Sequence, residues 1–417
     1  MRLLFLTNFY PPGGRGGYEQ WCQETALGLL EAGHRVDVLT SRVDLPEAAQ
    51  PDPAWVHRDL HMEMEFASFV HGLRFFTSRE AREQENLASL QKMVSEVEPD
   101  LILVWGMWNL PRSLPALAEQ LLPDKVVYYL ADYWPTLPSQ HEFYWQAPAQ
   151  NWATRIPKGL LKPVAQRILN GEQPPALQFR RVIFPSAFLR DETLRLGVPV
   201  KESVVIYGGV DTRPFIEHGI HNPVGRLAPD HKGLSLLYAG RISPEKGVET
   251  AIQAMQELVC RRGVQNVRLE IVGDGERGYI LRLRQMVQEA QLEGCITFSG
   301  PASKDEMPGL YHRFDAFLFP SIWQEPFGRV VVEALASGVV VIGTATGGAA
   351  EILEKGENAL TFAPGDAAGL ANQVVHLIEQ PELRLRLIQN GQRVARKKFD
   401  ISRMTAEIEA YLQSILG

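Results

Sequence analysis

Cysteine is scarce in this chain, with three among 417 residues: Cys22, Cys260 and Cys295. An odd number at such wide spacing indicates neither a disulfide framework nor a zinc knuckle, and it fits a reducing compartment. Long apolar runs are lacking too. The N-terminal run Leu3 to Leu6 is cut off by Pro11-Pro12-Gly13-Gly14; it is too short for a signal peptide, and no run approaches the roughly 20 residues of a membrane span. Nor is there a surplus of positive charge. The net charge of −7 opposes whole-molecule attraction to nucleic acid or anionic lipid and leaves only local basic patches to act. The expected location is the cytoplasm, with any membrane contact peripheral, at the inner face.

What is present is the balance of a soluble globular protein, 45% hydrophobic and 22% charged, in a chain long enough for two domains of about 150 to 250 residues. Short apolar runs alternate with helical patterns: LLFLTNF, a helix over residues 18–32, HRVDVLT, DLILVWG and KVVYYLAD. The rhythm restarts after residue 230 with LSLLYAG, a helix from about Pro244 to Arg262, VRLEIVGDG, CITFSG, DAFLFPS and VVVIGTAT. Such alternation predicts an α/β protein with two parallel sheets. The expected domains are 1–207 and 231–399, with an aperiodic Gly-, Pro- and His-rich linker at 208–230 and a helix in 400–417 that returns to the first domain. Doubly wound sheets bind ligands at the carboxyl ends of their strands, so the motifs belong on strand-to-helix turns in an interdomain cleft.

The opening turn TNFYPPGGRGGYEQW fails the dinucleotide fingerprint. Gly14-Arg15-Gly16 supplies the first two glycines, but Glu19 stands at the third position, and Ser41-Arg42 occupies the place of the ribose-binding acid. In AGRISPEKG, Arg241 and Lys246 flank a predicted helix start, with Ser243 as N-cap and Pro244 at N1. Orphan amides, the helix dipole and two cations together suit a diphosphate, while a solvated basic turn is the plain alternative. In QEPFGRVVVEALASG, Pro326 is expected to open a helix with Glu325 at its mouth and Glu333 inside it. Eight helical steps span about 12 Å, enough for one carboxylate at each end of a sugar nucleotide, with the Phe327 and Gly328 amides between. The apolar residues around Glu333 make it buried, so it requires a partner.

These segments resemble the retaining glycosyltransferases of the GT-B fold, in the group called family 4. PPGGRGGYE, YAGRISPEKG, IVGDGE and EPFGRVVVEALASG occur in the family's order, and the resemblance covers nearly the whole chain. It implies two facing Rossmann-like domains around a cleft. It also implies that Arg241 and Lys246 hold the donor diphosphate, Glu333 the ribose, and Glu325 with the Phe327 and Gly328 amides the sugar. Gly16 and Gly17 would let the opening loop approach the donor phosphate. The family histidine after the strand KVVYYL is replaced: Ala131 holds its place, beside Asp132, with His141 further on. The catalytic partner in the first domain therefore stays open.

Residues 155–171, RIPKGLLKPVAQRILNG, interleave Arg155, Lys158, Lys162 and Arg167 with Ile156, Leu160, Leu161, Val164 and Ile168. A basic amphipathic segment of this kind can rest on a membrane. A helix docked on its own domain is favoured, and Pro157 and Pro163 are expected to break any long one. The leading reading is a retaining, metal-independent transferase that moves a sugar from a nucleotide diphosphate sugar to a hydroxyl acceptor in glycan, glycolipid or polysaccharide synthesis. It implies no cofactor and no nucleic-acid partner. A nucleotide-sugar epimerase and a non-catalytic nucleotide-sugar-binding protein are the alternatives.

Overall fold

The computed structural model describes the whole chain except residues 15, 46–50, 66, 67, 150 and 222–233 and the side chains of 218–221. Contacts divide it into two units: Met1–Ile206 with Thr405–Gly417, and Tyr207–Met404. Each unit is built on one wholly parallel sheet.

The first sheet comprises β1 (Arg2–Leu6), β2 (Arg35–Ser41), β3 (Val56–Leu60), β4 (Leu101–Val104), β5 (Val126–Tyr129), β6 (Arg181–Phe184) and β7 (Glu202–Val205) in the order β3-β2-β1-β4-β5-β6-β7. The second comprises β8 (Leu234–Ala239), β9 (Val267–Val272), β10 (Ile296–Gly300), β11 (Ala316–Phe319), β12 (Val340–Thr344) and β13 (Ala359–Phe362) in the order β10-β9-β8-β11-β12-β13. Helices on both faces keep strands of this type out of water, which is why β4 and β11 are unbroken apolar runs and why they and β12 are buried at every residue.

In each sheet the strand order reverses beside the first strand of the unit. Leu3 of β1 lies between Val36 of β2 and Leu101 of β4, and Leu236 of β8 lies between Leu269 of β9 and Ala316 of β11. Loops leaving neighbouring strands in opposite directions open a crevice at their carboxyl ends. In the second unit the loops that leave β8 and β11 carry Arg241 with Lys246 and Glu325, respectively.

Four expected elements differ in the structure. Residues 208–221 of the expected linker belong to the second unit: Val210 bridges Asp400, and residues Arg213–His221 form a helix; residues 222–230 lie outside the described ones. The helix expected over Pro244–Arg262 is a 3-10 turn at Pro244–Lys246, then an α-helix at Val248–Gln256 and a π-turn at Glu257–Arg261. Ser243 does not cap it; its hydroxyl donates to Glu245 Oε1 at 2.7 Å. The helix expected from Pro326 starts at Arg329, with Gly328 as its N-cap at φ +118°. The segment around Pro157 and Pro163 is one helix, Trp152–Gly171, capped where the Thr154 N–H donates to Asn151 Oδ1 at 2.9 Å. Ala153 and Gly159, whose carbonyls lose their donors to the two prolines, are exposed, so water can serve them. The last helix, Ile401–Leu416, begins in the second unit and belongs to the first from Thr405 on.

Candidate functional site

Tertiary packing sets the turn after β8. Gly247 sits at φ +70°, and a Cβ there would lie 1.9 Å from the Pro320 carbonyl oxygen at the end of β11. Only glycine tolerates both the conformation and that approach, and the contact ends the 3-10 turn and begins a new helix. Across it, the N–H groups of Ile322 and Trp323 donate to the Glu245 carbonyl at 3.0 and 3.2 Å. The two loops are therefore fastened along their backbones.

This fastening brings Lys246 to Glu325. Lys246 Nζ donates to Glu325 Oε1 at 2.6 Å and to Oε2 at 2.9 Å, and Ser321 Oγ adds a bond to Oε1 at 2.7 Å. The Glu325 side chain is only 9% exposed, and this cation and hydroxyl satisfy the buried charge. A third loop holds its backbone: the Gly348 N–H donates to the Glu325 carbonyl at 2.6 Å, and a Cβ on Gly348 would meet the Pro326 carbonyl at 2.3 Å. This bond and this close approach engage residues 325–327 with the turn at 347–348. That is why the helix waits until Arg329, and why eight helical steps do not measure the separation of Glu325 from Glu333.

Arg241 lies at the rim, its side chain 70% exposed and 3.4 Å from Glu245. The Tyr238 hydroxyl donates to the Arg241 carbonyl at 2.6 Å and holds the backbone there. Burial opposes ionisation of Glu245, but the Ser243 hydroxyl, its own backbone N–H, Arg241 and Lys246 outweigh it and hold this carboxyl below its usual range. Each of the two cations is thus matched by a carboxylate. An ammonium has three donors, and Lys246 spends two on Glu325.

Glu333 lies on the helix Arg329–Ser337 with its side chain 12% exposed, and it has the partners its burial requires. The Tyr311 hydroxyl donates to Oε2 at 3.3 Å, and Arg329 Nε stands 3.5 Å from Oε1. Beside it the Phe327 side chain is buried with its ring 5.7 Å from that of Phe399, so Phe327 turns its side chain to the core. The Gly328 carbonyl accepts from Val331 N–H at 2.9 Å, as an N-cap does.

In the first unit Gly16 caps the helix Gly17–Glu31 in an extended conformation. A Cβ on Gly16 would lie 2.2 Å from Glu19 Oε2, the far end of a side chain that can turn aside, and the Gly16 backbone is one that any residue adopts. Burial raises the Glu19 carboxyl, opposed by backbone N–H groups of Glu19 and Gly16. Ala131 is buried after β5. Its neighbour Asp132 is pushed up to about 7 by burial, with the Glu19 charge adding to the shift and the Trp134 N–H, 3.0 Å away, opposing it. His141 is buried on the helix Gln140–Gln146, and burial, then Arg79 and Arg82, push it down to about 3, so it is neutral.

His141 lines a feature that no contiguous motif announced, a cavity of about 760 Å³ within the first unit. Loops after β3, β4 and β5 supply Glu63, Trp108 and Arg112, and Trp134. Arg112 donates to the carbonyls of Pro135 and Leu137 at 3.0 and 2.7 Å. Burial pushes Glu63 up to about 7, against the N–H of Gln140 that donates to it at 2.6 Å. Three buried side-chain atoms of its lining residues, Trp134 Nε1, His141 Nδ1 and Arg79 Nε, have no hydrogen-bond partner among the described residues. No group of three or more His, Cys, Asp or Glu placed to hold a metal ion occurs among the described residues.

With this geometry in place, comparison with known proteins is informative. Residues 15–213 match the family Glycosyltransferase Family 4, and residues 225–394 match Glycosyl transferases group 1. An uncharacterized glycosyltransferase of Methanocaldococcus jannaschii is 24% identical over 433 residues, covering 100% of both chains. Glycogen synthase of Mycobacterium tuberculosis is 31% identical over 235 residues, 56% of this chain and 54% of its own. Among solved structures, Anabaena HepE in complex with UDP and glucose superposes with a TM-score of 0.68 at 23% identity, covering 99% of this chain and 100% of its own. Sucrose-phosphate synthase from Thermosynechococcus elongatus gives 0.71 at 19% identity, covering 99% and 98%. These likenesses establish the fold, and nothing in the comparisons favours the epimerase reading. Two parallel Rossmann-like sheets, with a family match over each unit, make the chain a glycosyltransferase enzyme of the family 4 group with the GT-B fold.

Proposed function

We propose that this enzyme transfers a sugar, with retention of configuration, from a nucleotide diphosphate sugar to a hydroxyl acceptor in glycan, glycolipid or polysaccharide synthesis. The observation that carries the reading is the pair Lys246–Glu325, held at 2.6 and 2.9 Å by loops from adjacent strands at the switch point of the second sheet. It sets a cation for a diphosphate beside a carboxylate for sugar hydroxyls, and binding of UDP and of UDP-glucose by the Anabaena neighbour supports the same donor class.

In this reading the remaining donor of Lys246, together with Arg241, meets the diphosphate as its negative charge grows. Preorganised donors of this kind act where transition-state charge develops. The bond from the anomeric carbon to the diphosphate oxygen breaks and the bond to the acceptor oxygen forms on the same face, with the acceptor proton passing to the leaving diphosphate. Glu325, fixed by Lys246 and Ser321, orients the sugar, and Glu333 takes the ribose hydroxyls. The Phe327 and Gly328 amides face the donor sugar, and Gly16 and Gly17 admit the donor phosphate. The acceptor occupies the cavity of the first unit, where the aromatic Trp108 and Trp134 stand among the polar Glu63, Glu83 and Arg112, a mixture that suits a polyhydroxyl ligand.

Donor screening by thermal shift, followed by turnover with the stabilising donor and a panel of sugar acceptors, tests this reading. A nucleotide diphosphate sugar is expected to raise the melting temperature, and the product is expected to keep the donor's anomeric configuration. Turnover is expected to survive EDTA, because side chains supply the charge on the leaving group. An inverted product, or activity lost to EDTA and restored by Mn²⁺, contradicts it.

A further inference from the structure

The helix Trp152–Gly171 has two apolar sides, and its own domain uses one. Leu161, Ala165 and Leu169, each four residues from the next, belong to a small core with Phe75, Tyr144 and Trp145. Facing outward is a second series at the same spacing: Trp152, Ile156 and Leu160 are 88%, 74% and 72% exposed, and Val164 and Ile168 follow. At about 100° per residue this series is centred roughly opposite the inward side marked by Lys158 and Ala165. Phe143, on the neighbouring helix Gln140–Gln146, is also strongly exposed. Exposed apolar residues gathered on one helix face mark an interaction surface, whereas scattered ones do not.

The charges on this helix identify the occupant. It carries Arg155, Lys158, Lys162 and Arg167 and no acidic residue, in a chain whose net charge is −7. Two of the cations are used internally. Lys158 lies 3.9 Å from the centre of the Tyr144 ring, and Lys162 Nζ donates to the Gln146 carbonyl at 3.2 Å. Arg155 and Arg167 are exposed and make no ion pair among the described residues. Arg167 falls within the apolar face and Arg155 beside it, where each can reach a headgroup while the apolar residues enter the acyl boundary. No described helix is long and apolar enough to cross a membrane, so the helix would lie along the surface.

We propose that the outer face of Trp152–Gly171 docks this protein on an anionic lipid bilayer. The docking is independent of the transfer chemistry proposed above, since it needs no donor.

The test is sedimentation of the full-length protein with vesicles of equal parts phosphatidylglycerol and phosphatidylcholine, beside vesicles of phosphatidylcholine alone. Binding to the anionic vesicles is expected to be stronger by on the order of tenfold and to weaken with salt. The double substitution Ile156→Glu with Leu160→Glu is expected to abolish it, with melting temperature and nucleotide diphosphate binding unchanged because both side chains are exposed. The pair Arg155→Gln with Arg167→Gln is expected to lower binding to anionic vesicles and leave any binding to neutral ones unchanged. A blue shift of tryptophan emission on the vesicles, absent in Trp152→Phe, reports insertion of the helix. Failure to sediment with anionic vesicles, or undiminished binding by the double glutamate variant, overturns the proposal. So does a dimer in solution that this variant dissociates, since a second copy would then be the occupant.

Discussion

Lys246 and Glu325, 79 residues apart, make a two-pronged contact in which one ammonium meets both oxygens of one carboxylate. The cation of the site is therefore also what keeps a buried anion tolerable. Lys246→Met is expected to destabilise the protein by about 3 kcal/mol, as breaking such a pair leaves a carboxylate without its charge. Lys246→Met combined with Glu325→Gln is expected to lose less than the sum of the single losses, by on the order of 1 kcal/mol or more. Urea unfolding of the four proteins measures the coupling, and strictly additive losses contradict it.

Arg241 is the opposite case. Its side chain is mostly in water, and a surface ion pair contributes about 0 to 1 kcal/mol to stability. Arg241→Ala is expected to keep the melting temperature while lowering kcat by about 100- to 1,000-fold, the scale of one lost transition-state donor. Thermal unfolding and steady-state rates separate the two effects.

The two glutamates are expected to fail differently. Glu333→Gln weakens charge-assisted bonds to the ribose, and nucleotide diphosphate binding is expected to drop by about 1 to 2 kcal/mol. Glu325→Gln is expected to leave that binding nearly unchanged and impair transfer, because its partner is the sugar. Calorimetry with the nucleotide diphosphate, paired with turnover, tests both; equal binding losses refute the division of roles.

Asp132 supplies a pH signature. Its carboxyl is raised from 3.8 to about 7 in the folded protein, so within that window the folded chain holds a proton that the unfolded chain has released. Stability therefore falls as pH rises through the window, and the penalty is complete above it. Asp132→Asn keeps an acceptor for the Trp134 N–H and cannot ionise. It is expected to melt above the parent protein at pH 8 and level with it at pH 4. A gain of equal size at both pH values contradicts the assignment.

The two parallel sheets were legible in the sequence because buried parallel strands are continuous apolar runs, as in LILV and AFLF, and the periodic segments between them are helices. Arg241, Lys246 and Glu325 stood out in the sequence as charged residues on strand-to-helix turns, and Glu333 as a carboxylate on the apolar helix that follows; the roles assigned to them above are proposals. Helix starts were not. Local rules put them at Pro244 and Pro326, but the Pro320 carbonyl against Gly247 and the Gly348 amide on Glu325 come from strands far away in sequence and decide the matter. For the same reason Lys246 and Glu325 read as groups with separate tasks. The first-unit cavity was invisible because its lining is gathered from stretches far apart in sequence, around residues 61–63, 79–86, 107–113, 134–142 and 169–175, none of which carries a motif of its own. Pro157 and Pro163 misled through the reverse error, since a solvent-facing carbonyl can lose its donor to proline at little cost.

The final helix, Ile401–Leu416, leaves the second unit and contributes Ile408 and Leu412, both fully buried, to the first. Its Thr405 methyl fills the space beside Gly28, and Glu409 meets His34 Nε2 at 2.9 Å. During synthesis the first unit is thus the earlier to emerge and the later to finish: residues 1–206 wait, with the surface around Gly28 and His34 uncovered, until the last helix arrives. The second unit, by contrast, has its sequence in one stretch, Tyr207–Met404, and borrows no segment from elsewhere in the chain.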